Sequence, residues 1–290
     1  MGRDTAESRD FEWERTMPNI LRLSSLAALP VLLILGACSE INEPLNTEEQ
    51  LVNLDVAQYV ADATNDDLVA MTSEAEFAMR SGLHHVAGCQ RWALFKIRCV
   101  PRKFLGDGSL SITHEVTFYG PDLDQDGNLD PQEQYDSLTT EAINYVASIE
   151  GTRERTHDGV QFSVTVNRQR DFTVSGLTGK ETQRTWNGTG SADVNRTRTS
   201  DEKGTRTYDM SSTTVVEDVV ILVPRAGTYP QSGTIRRHVT VEVVDGLEDP
   251  ATRERDVVIE FDGTRFATIT INGEVFKLDL ETWEVVKDEG

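Results

Sequence analysis

From about residue 90 onward, threonine, valine, isoleucine and aromatic residues alternate with polar ones. That two-residue period dictates β-strands with one face turned inward. Val160, Phe162, Val164 and Val166 share one face of a strand, and Val239, Val241 and Val243 share a face of another. The carboxyl end is the clearest piece: Val257 to Phe261, Asp262-Gly263, Thr264 to Ile271, Asn272-Gly273, then Glu274 to Leu280. Asp-Gly and Asn-Gly supply the positive backbone dihedrals of tight hairpin turns, so this stretch reads as a three-stranded meander. Residues 181–214 are strand-like but rich in Thr, Arg, Asn and Ser, with turn signals at Asn187-Gly188 and Lys203-Gly204. Such strands need water on one face. The expected fold is mainly β: an antiparallel meander over residues 83–290, forming a curved sheet or partial barrel, with a short N-terminal helical segment. The strands lack the outward apolar band of a lipid-facing barrel.

The helical segment is expected over residues 47–82. Thr47-Glu48-Glu49-Gln50 is a capping box, and Leu51, Leu54, Val56, Tyr59 and Val60 follow at roughly helical spacing. A second short helix carries Leu68, Met71, Ala75, Phe77 and Met79 and stops at Gly82. Asn65-Asp66-Asp67 marks the break between the two.

The longest apolar run, Leu26 to Leu35, is about ten residues, too short for a bilayer. It has the size of the h-region of a secretory signal. It ends in Leu35-Gly36-Ala37-Cys38, which resembles the lipobox of bacterial lipoproteins. The resemblance implies a signal peptide over residues 1–37, a diacylated Cys38 and a tether over residues 38–46; the plain alternative is a core helix with a chance cysteine. Acidic residues outnumber arginines before Met17, which does not suit an n-region, so Met17 is the expected true start, with Arg22 as the positive end. Ser39 stands where an Asp would favour inner-membrane retention, so the expected address is the cell envelope, lipid-anchored at the outer membrane. In that oxidising space Cys89 and Cys99 form an even pair, expected as a structural disulfide across a hairpin and contributing roughly 2–3 kcal/mol. A redox or metal-binding pair would want C-x-x-C spacing or a nearby His.

Lys and Arg number 28 against 49 Asp and Glu, a net charge of -21. Nucleic acid is therefore excluded as a partner, because there is no cationic surplus to displace counterions from phosphates. Unaided docking on anionic lipid is disfavoured too, which leaves the lipid anchor as the membrane partner and divalent cations as natural ligands.

Residues 122–133 read Asp-Leu-Asp-Gln-Asp-Gly-Asn-Leu-Asp-Pro-Gln-Glu and resemble the EF-hand calcium loop position by position. The resemblance implies Ca²⁺ bound by Asp122, Asp124 and Asp126, the backbone carbonyl of Asn128, Asp130 through water and Glu133 with two oxygens. Gly127 makes the sharp turn and Leu129 anchors the loop. Hard oxygens suit Ca²⁺, and no imidazole or thiolate is present for zinc or copper. The setting departs from an EF-hand. Ile112 to Tyr119 alternates like a strand, Gly120-Pro121 stops it, and the exit is open to a short helix from Pro131 to about Leu138 or a turn. The bland reading is an acidic solvated turn. A single loop with no paired helix points to a structural staple rather than a sensor.

No catalytic motif stands out. There is no Gly-x-Ser-x-Gly elbow, no Walker loop and no zincin spacing among His84, His85, His114, His157 and His238. Trp92, Trp186 and Trp283 fit core or hairpin packing better than a groove. The texture of residues 89–281 resembles bacterial surface lipoproteins built on a β-meander, with a Cys pair before the first strands and a segment like Ser175 to Thr182 mid-chain. That resemblance implies no activity. The alternatives to a calcium-binding structural protein are a carrier of lipid or another hydrophobic ligand on the curved sheet, and a glycan-acting hydrolase.

Overall fold

The computed structural model describes residues 48–79, 89–99, 108–157, 160–200, 204–224, 228–245 and 251–287. The lipobox with Cys38, the tether, Thr47 of the capping box, Gly82, His84 and His85, and Lys203 lie outside the described residues.

One helix, α1 (Glu48–Ala78), precedes an antiparallel sheet. The strands are β1 (Cys89–Ala93), β2 (Lys96–Cys99), β3 (Gly108–Gly120), β4 (Asp130–Gln132), β5 (Ala142–His157), β6 (Val160–Ser175) and β7 (Gln183–Ser200). They continue as β8 (Gly204–Leu222), β9 (Ser232–Asp245), β10 (Ala251–Glu260), β11 (Phe266–Ile271), β12 (Glu274–Asp279) and β13 (Val285–Lys287). Pairing follows chain order from β1 to β13, except that β4 folds back onto β3 and leaves β5 as the next strand in the path. The expected mainly β meander is thus present as one open sheet whose edges are β1 and β13, not closed into a barrel.

Alternation sets the two faces. Val116 and Phe118, Ile143 and Tyr145, Phe172 and Val174, Ile235, Val239 and Val241, Val257 and Ile259, and Ile269 and Ile271 all point inward and are buried. Trp186 joins them, its ring centroid 5.8 Å from that of Tyr145. The opposite face carries the Thr, Asn, Ser and acidic residues of the same strands and meets solvent. That division is what the polar middle strands require.

The helix lies against the inward face. Its buried positions (among them Asn53, Val56, Ala57, Tyr59, Val60, Ala61, Ala63, Thr64, Asp67, Leu68 and Met71) cover much more than the roughly 100° stripe of an ordinary surface helix. At about 100° per residue they span more than half the circumference, which a flat sheet cannot cover. The sheet curves around the helix. Buried alanines on α1 bring the two close together.

Here the sequence expectation is corrected. Asn65-Asp66-Asp67 does not break the helix, which runs unbroken through it. The acids are held from the sheet instead. Asp67 Oδ1 accepts from Arg170 Nε on β6 at 2.8 Å, and Asp67 Oδ2 accepts from Arg237 Nη2 on β9. Asp66 accepts from Arg168 Nη1 at 3.0 Å. Burial raises the Asp67 pKa, but the charges of Arg237, Arg170 and Arg168 outweigh it and hold the carboxyl below its usual range. Nearer the start of α1, Asn53 accepts from Arg255 Nε at 2.6 Å and donates to Glu274, and Tyr59 shares a 3.1 Å hydrogen bond with Ser212.

Asn187-Gly188 is corrected too. It is not a turn but a bulge inside β7, where the register shifts between Trp186 and Gly188. Asn187 bonds Asp218 through both its amide groups, and a Cβ on Gly188 would sit 2.2 Å from the Asp171 carbonyl oxygen. The C-terminal meander forms as expected, with Asn272 and Gly273 both at positive φ. The link around Asp262-Gly263 is wider than a two-residue turn, because Thr264 and Arg265 stay out of β11. Cys89 and Cys99 face each other across the β1–β2 hairpin and are bonded, S–S 2.03 Å.

Asp67→Asn strands two buried guanidinium groups, so a loss of about 3–5 kcal/mol is expected in urea denaturation. Because the folded-state pKa is depressed, the carboxylate's contribution is complete above its ordinary pKa and fades as pH falls through the lower folded value. The difference between wild type and Asp67→Asn, followed by melts from neutral pH downward, should shrink only in that acid window.

Candidate metal site

The candidate loop, Pro121 to Leu129, joins β3 to β4, and the pairing of Gly120 with Asp130 closes its base. The incoming strand is as expected. The exit is not: β4 returns along β3, with Tyr119 opposite Pro131 and Phe118 opposite Gln132, and no helix forms from Pro131 to Leu138. Pro131 has no N–H to give, yet the edge position of β4 makes no demand for one. Gln132 then ties the next turn, donating to Thr139 and accepting from Thr140.

Within the loop the carboxylates turn onto the backbone. Asp122 Oδ1 accepts from the Asp126 amide at 3.1 Å, and Asp122 Oδ2 accepts from the Gly127 amide at 2.8 Å. Asp126 Oδ1 accepts from the Asn128 amide at 2.8 Å. Gln125 and Gly127 both take positive φ, 60° and 91°, which curls the loop around its own acids. Asn and Asp favour such local side-chain-to-backbone closures. The Gly127 N–H, with that of Asp126, holds the Asp122 carboxyl below its usual range. Each of Asp122, Asp124 and Asp126 offers an oxygen, and the three lie within 4.8 Å of one another.

The other predicted ligands are placed differently. Asp130 Oδ2 accepts from the Leu123 amide at 2.9 Å, bracing the base of the loop. Asn128 follows the converging acids in the curl, its amide on Asp126. Leu129 is half-buried, while Leu123 is exposed. Glu133 lies beyond β4, where Arg91 of the disulfide hairpin meets it at 3.4 Å from Nη1 to Oε1 and donates from Nη2 to its carbonyl. The structure therefore brings together Asp122, Asp124 and Asp126, and it leaves Glu133 on Arg91. Nothing in the sequence singled out Arg91. It is aligned only by the pairing of β1 with β2 and of β2 with β3.

Chemically, three convergent carboxylate oxygens are a partial shell for a hard cation that takes six to eight oxygens. Donor type fits Ca²⁺; the open side of the shell faces solvent, where Asp124 and Asp126 are exposed. Elsewhere, His114 is half-buried, and burial and the charge of Arg170 lower its pKa. The exposed His238 hydrogen-bonds Asp256, which raises its own. Trp186 is core, and Trp283 packs against the core at a positive φ of 62°. On the inward face of the sheet, apolar residues of α1 pack against those of the strands.

If Asp122 orders the loop, Asp122→Ala should speed hydrogen exchange at the amides of Asp126 and Gly127 and leave those of β5 and β6 unchanged, read residue by residue by NMR. No family model, curated protein or solved structure matches this chain.

Proposed function

We propose that this chain is a lipid-anchored cell-envelope protein that binds one Ca²⁺ through residues 122–133, with the ion acting as a structural staple. The observation that carries the reading is the convergence of Asp122, Asp124 and Asp126 on one point, in a loop curled by Gly127. Full coordination would add the Asn128 carbonyl, Asp130 through water, and Glu133 once it leaves Arg91. The ion would stitch the end of β3 to β4, beside the disulfide hairpin and toward one edge of the sheet. A staple suits that position, since the loop leads into strands on both sides and no helix pair is there to open. The anchor rests on the Leu35-Gly36-Ala37-Cys38 pattern alone.

Calorimetric titration of the non-lipidated chain from Ser39 onward, with parallel melts, tests the calcium reading. One equivalent should bind with Kd of about 10⁻⁴–10⁻³ M. Saturation near 100 times Kd should add about 2.7 kcal/mol of stability. Asp122→Ala/Glu133→Gln should abolish both heat and shift. No response of the wild type up to several millimolar Ca²⁺ would reduce the loop to an acidic turn.

A further inference from the structure

A second charged cluster lies far from the loop in chain order and has no part in it. Arg170, Gly190, Thr214 and Arg237 form one continuous cross-strand row over β6, β7, β8 and β9. Ala192 lies opposite Arg168 in the next row. The two outer arginines reach inward over the small residues between them and meet Asp67 from the helix. Between Asp67, Arg168, Arg170, Gly190, Ala192, Thr214 and Arg237 there is a small cavity of ≈ 10 Å³, open in part to solvent.

The charges around it do not balance. Arg170 and Arg237 retain 5% and 3% of their side-chain exposure and Arg168 retains 11%. Against these three cations stands one buried carboxylate, Asp67; Asp66 is 61% exposed and largely screened by water. Hydrogen bonding is lopsided in the same sense. Guanidinium groups bring only donors. Asp67 already takes both Arg170 and Arg237, and the Thr214 hydroxyl accepts from Arg237 Nη1 at 2.6 Å. Arg237 lines the cavity, and its buried Nε has no acceptor among the described residues. A buried donor left unmet costs about 1–3 kcal/mol, more for a charged group.

We infer that this cavity binds a small monovalent anion of chloride size. A water molecule would accept from the guanidiniums but bring two hydrogens into a place already crowded with donors. A halide only accepts, and it neutralises the surplus charge where the dielectric is low. Gly190 and Ala192 line the space from β7; a Cβ on Gly190 would press on the Gln169 carbonyl oxygen at 3.0 Å, whereas a larger side chain at Ala192 would take up the space. The same positive field acts on His114, which lies in the Arg170 row through Ala147.

The test is a thermal melt of the calcium-free wild type as sodium gluconate is exchanged for sodium chloride at constant ionic strength. Gluconate is too large to enter. A saturable rise of roughly 2–4 °C is expected, with bromide substituting for chloride and giving an anomalous peak between Arg170, Arg237 and Asp67 in crystals. Ala192→Leu, which fills the space without touching the Asp67 ion pairs, should melt at a chloride-independent temperature. Identical wild-type melts in the two salts together with no bromide peak would overturn the assignment. So would a chloride shift of equal size in wild type and Ala192→Leu, which would mark a surface effect.

Discussion

The carboxylate of Asp67 is clasped by one guanidinium from β6 and another from β9, with two strands between them. Neighbouring strands stand about 4.8 Å apart, so those arginines start from backbones roughly 14 Å from each other. Both meet the same side chain because the sheet bends and because Gly190 and Thr214, the residues between them in the row, are small. Helix position, sheet curvature and the choice of small residues on β7 and β8 are therefore one constraint seen from three sides. Apolar packing alone would hold the helix in the trough and let it slide or turn. The buried ion pairs, with Asn53 on Arg255 and Tyr59 on Ser212, fix where along the trough it stops.

The candidate calcium loop belongs to a different part of the sheet and follows a different logic. Its acids reach solvent and make their hydrogen bonds to the loop's own backbone, whereas Asp67 of the helix is buried against cations. One arrangement leaves carboxylate oxygens turned toward solvent and available to an ion; the other consumes them. With 49 acidic residues in the chain, that contrast separates acids that can serve a ligand from acids that serve the fold. Glu133 stands between the two cases. Its ion pair with Arg91 is exposed and weak, so an incoming divalent cation could compete for it.

Much of the sheet was legible. Period-2 alternation and the Asn272-Gly273 turn are local signals, and they gave the C-terminal strands and the inward set of valines and isoleucines. The helix was legible at its start and misread in its middle, since Asn65-Asp66-Asp67 looks like a terminator when seen without its partners. The partners were written in the sequence as well: Arg168 and Arg170 continue the inward parity of Val164 and Val166 and precede Phe172 and Val174. An arginine at a core position of a strand announces a buried anion, but not which one. Asp122, Asp124 and Asp126 could be read directly because their spacing is short-range. Arg91 could not, because its approach to Glu133 depends on how β1, β2 and β3 are stacked. Gly188 misled for a related reason: a glycine that permits a turn also permits close approach of a neighbouring strand, and only the pairing of β6 with β7 tells which.

The clasp at Asp67 also sets an order of events. Its two arginines lie 103 and 170 residues further along the chain. A chain growing from its amino terminus makes the helix segment before the sheet, and its last counter-charge only with β9. Until then the helix has no complete trough, and loop-closure entropy must be met before the long-range contacts return anything. The meander can zip strand by strand from local hairpins, but its concave face closes on the helix late. In synthesis, then, the helix waits for strands made well after it before its ion pairs are complete.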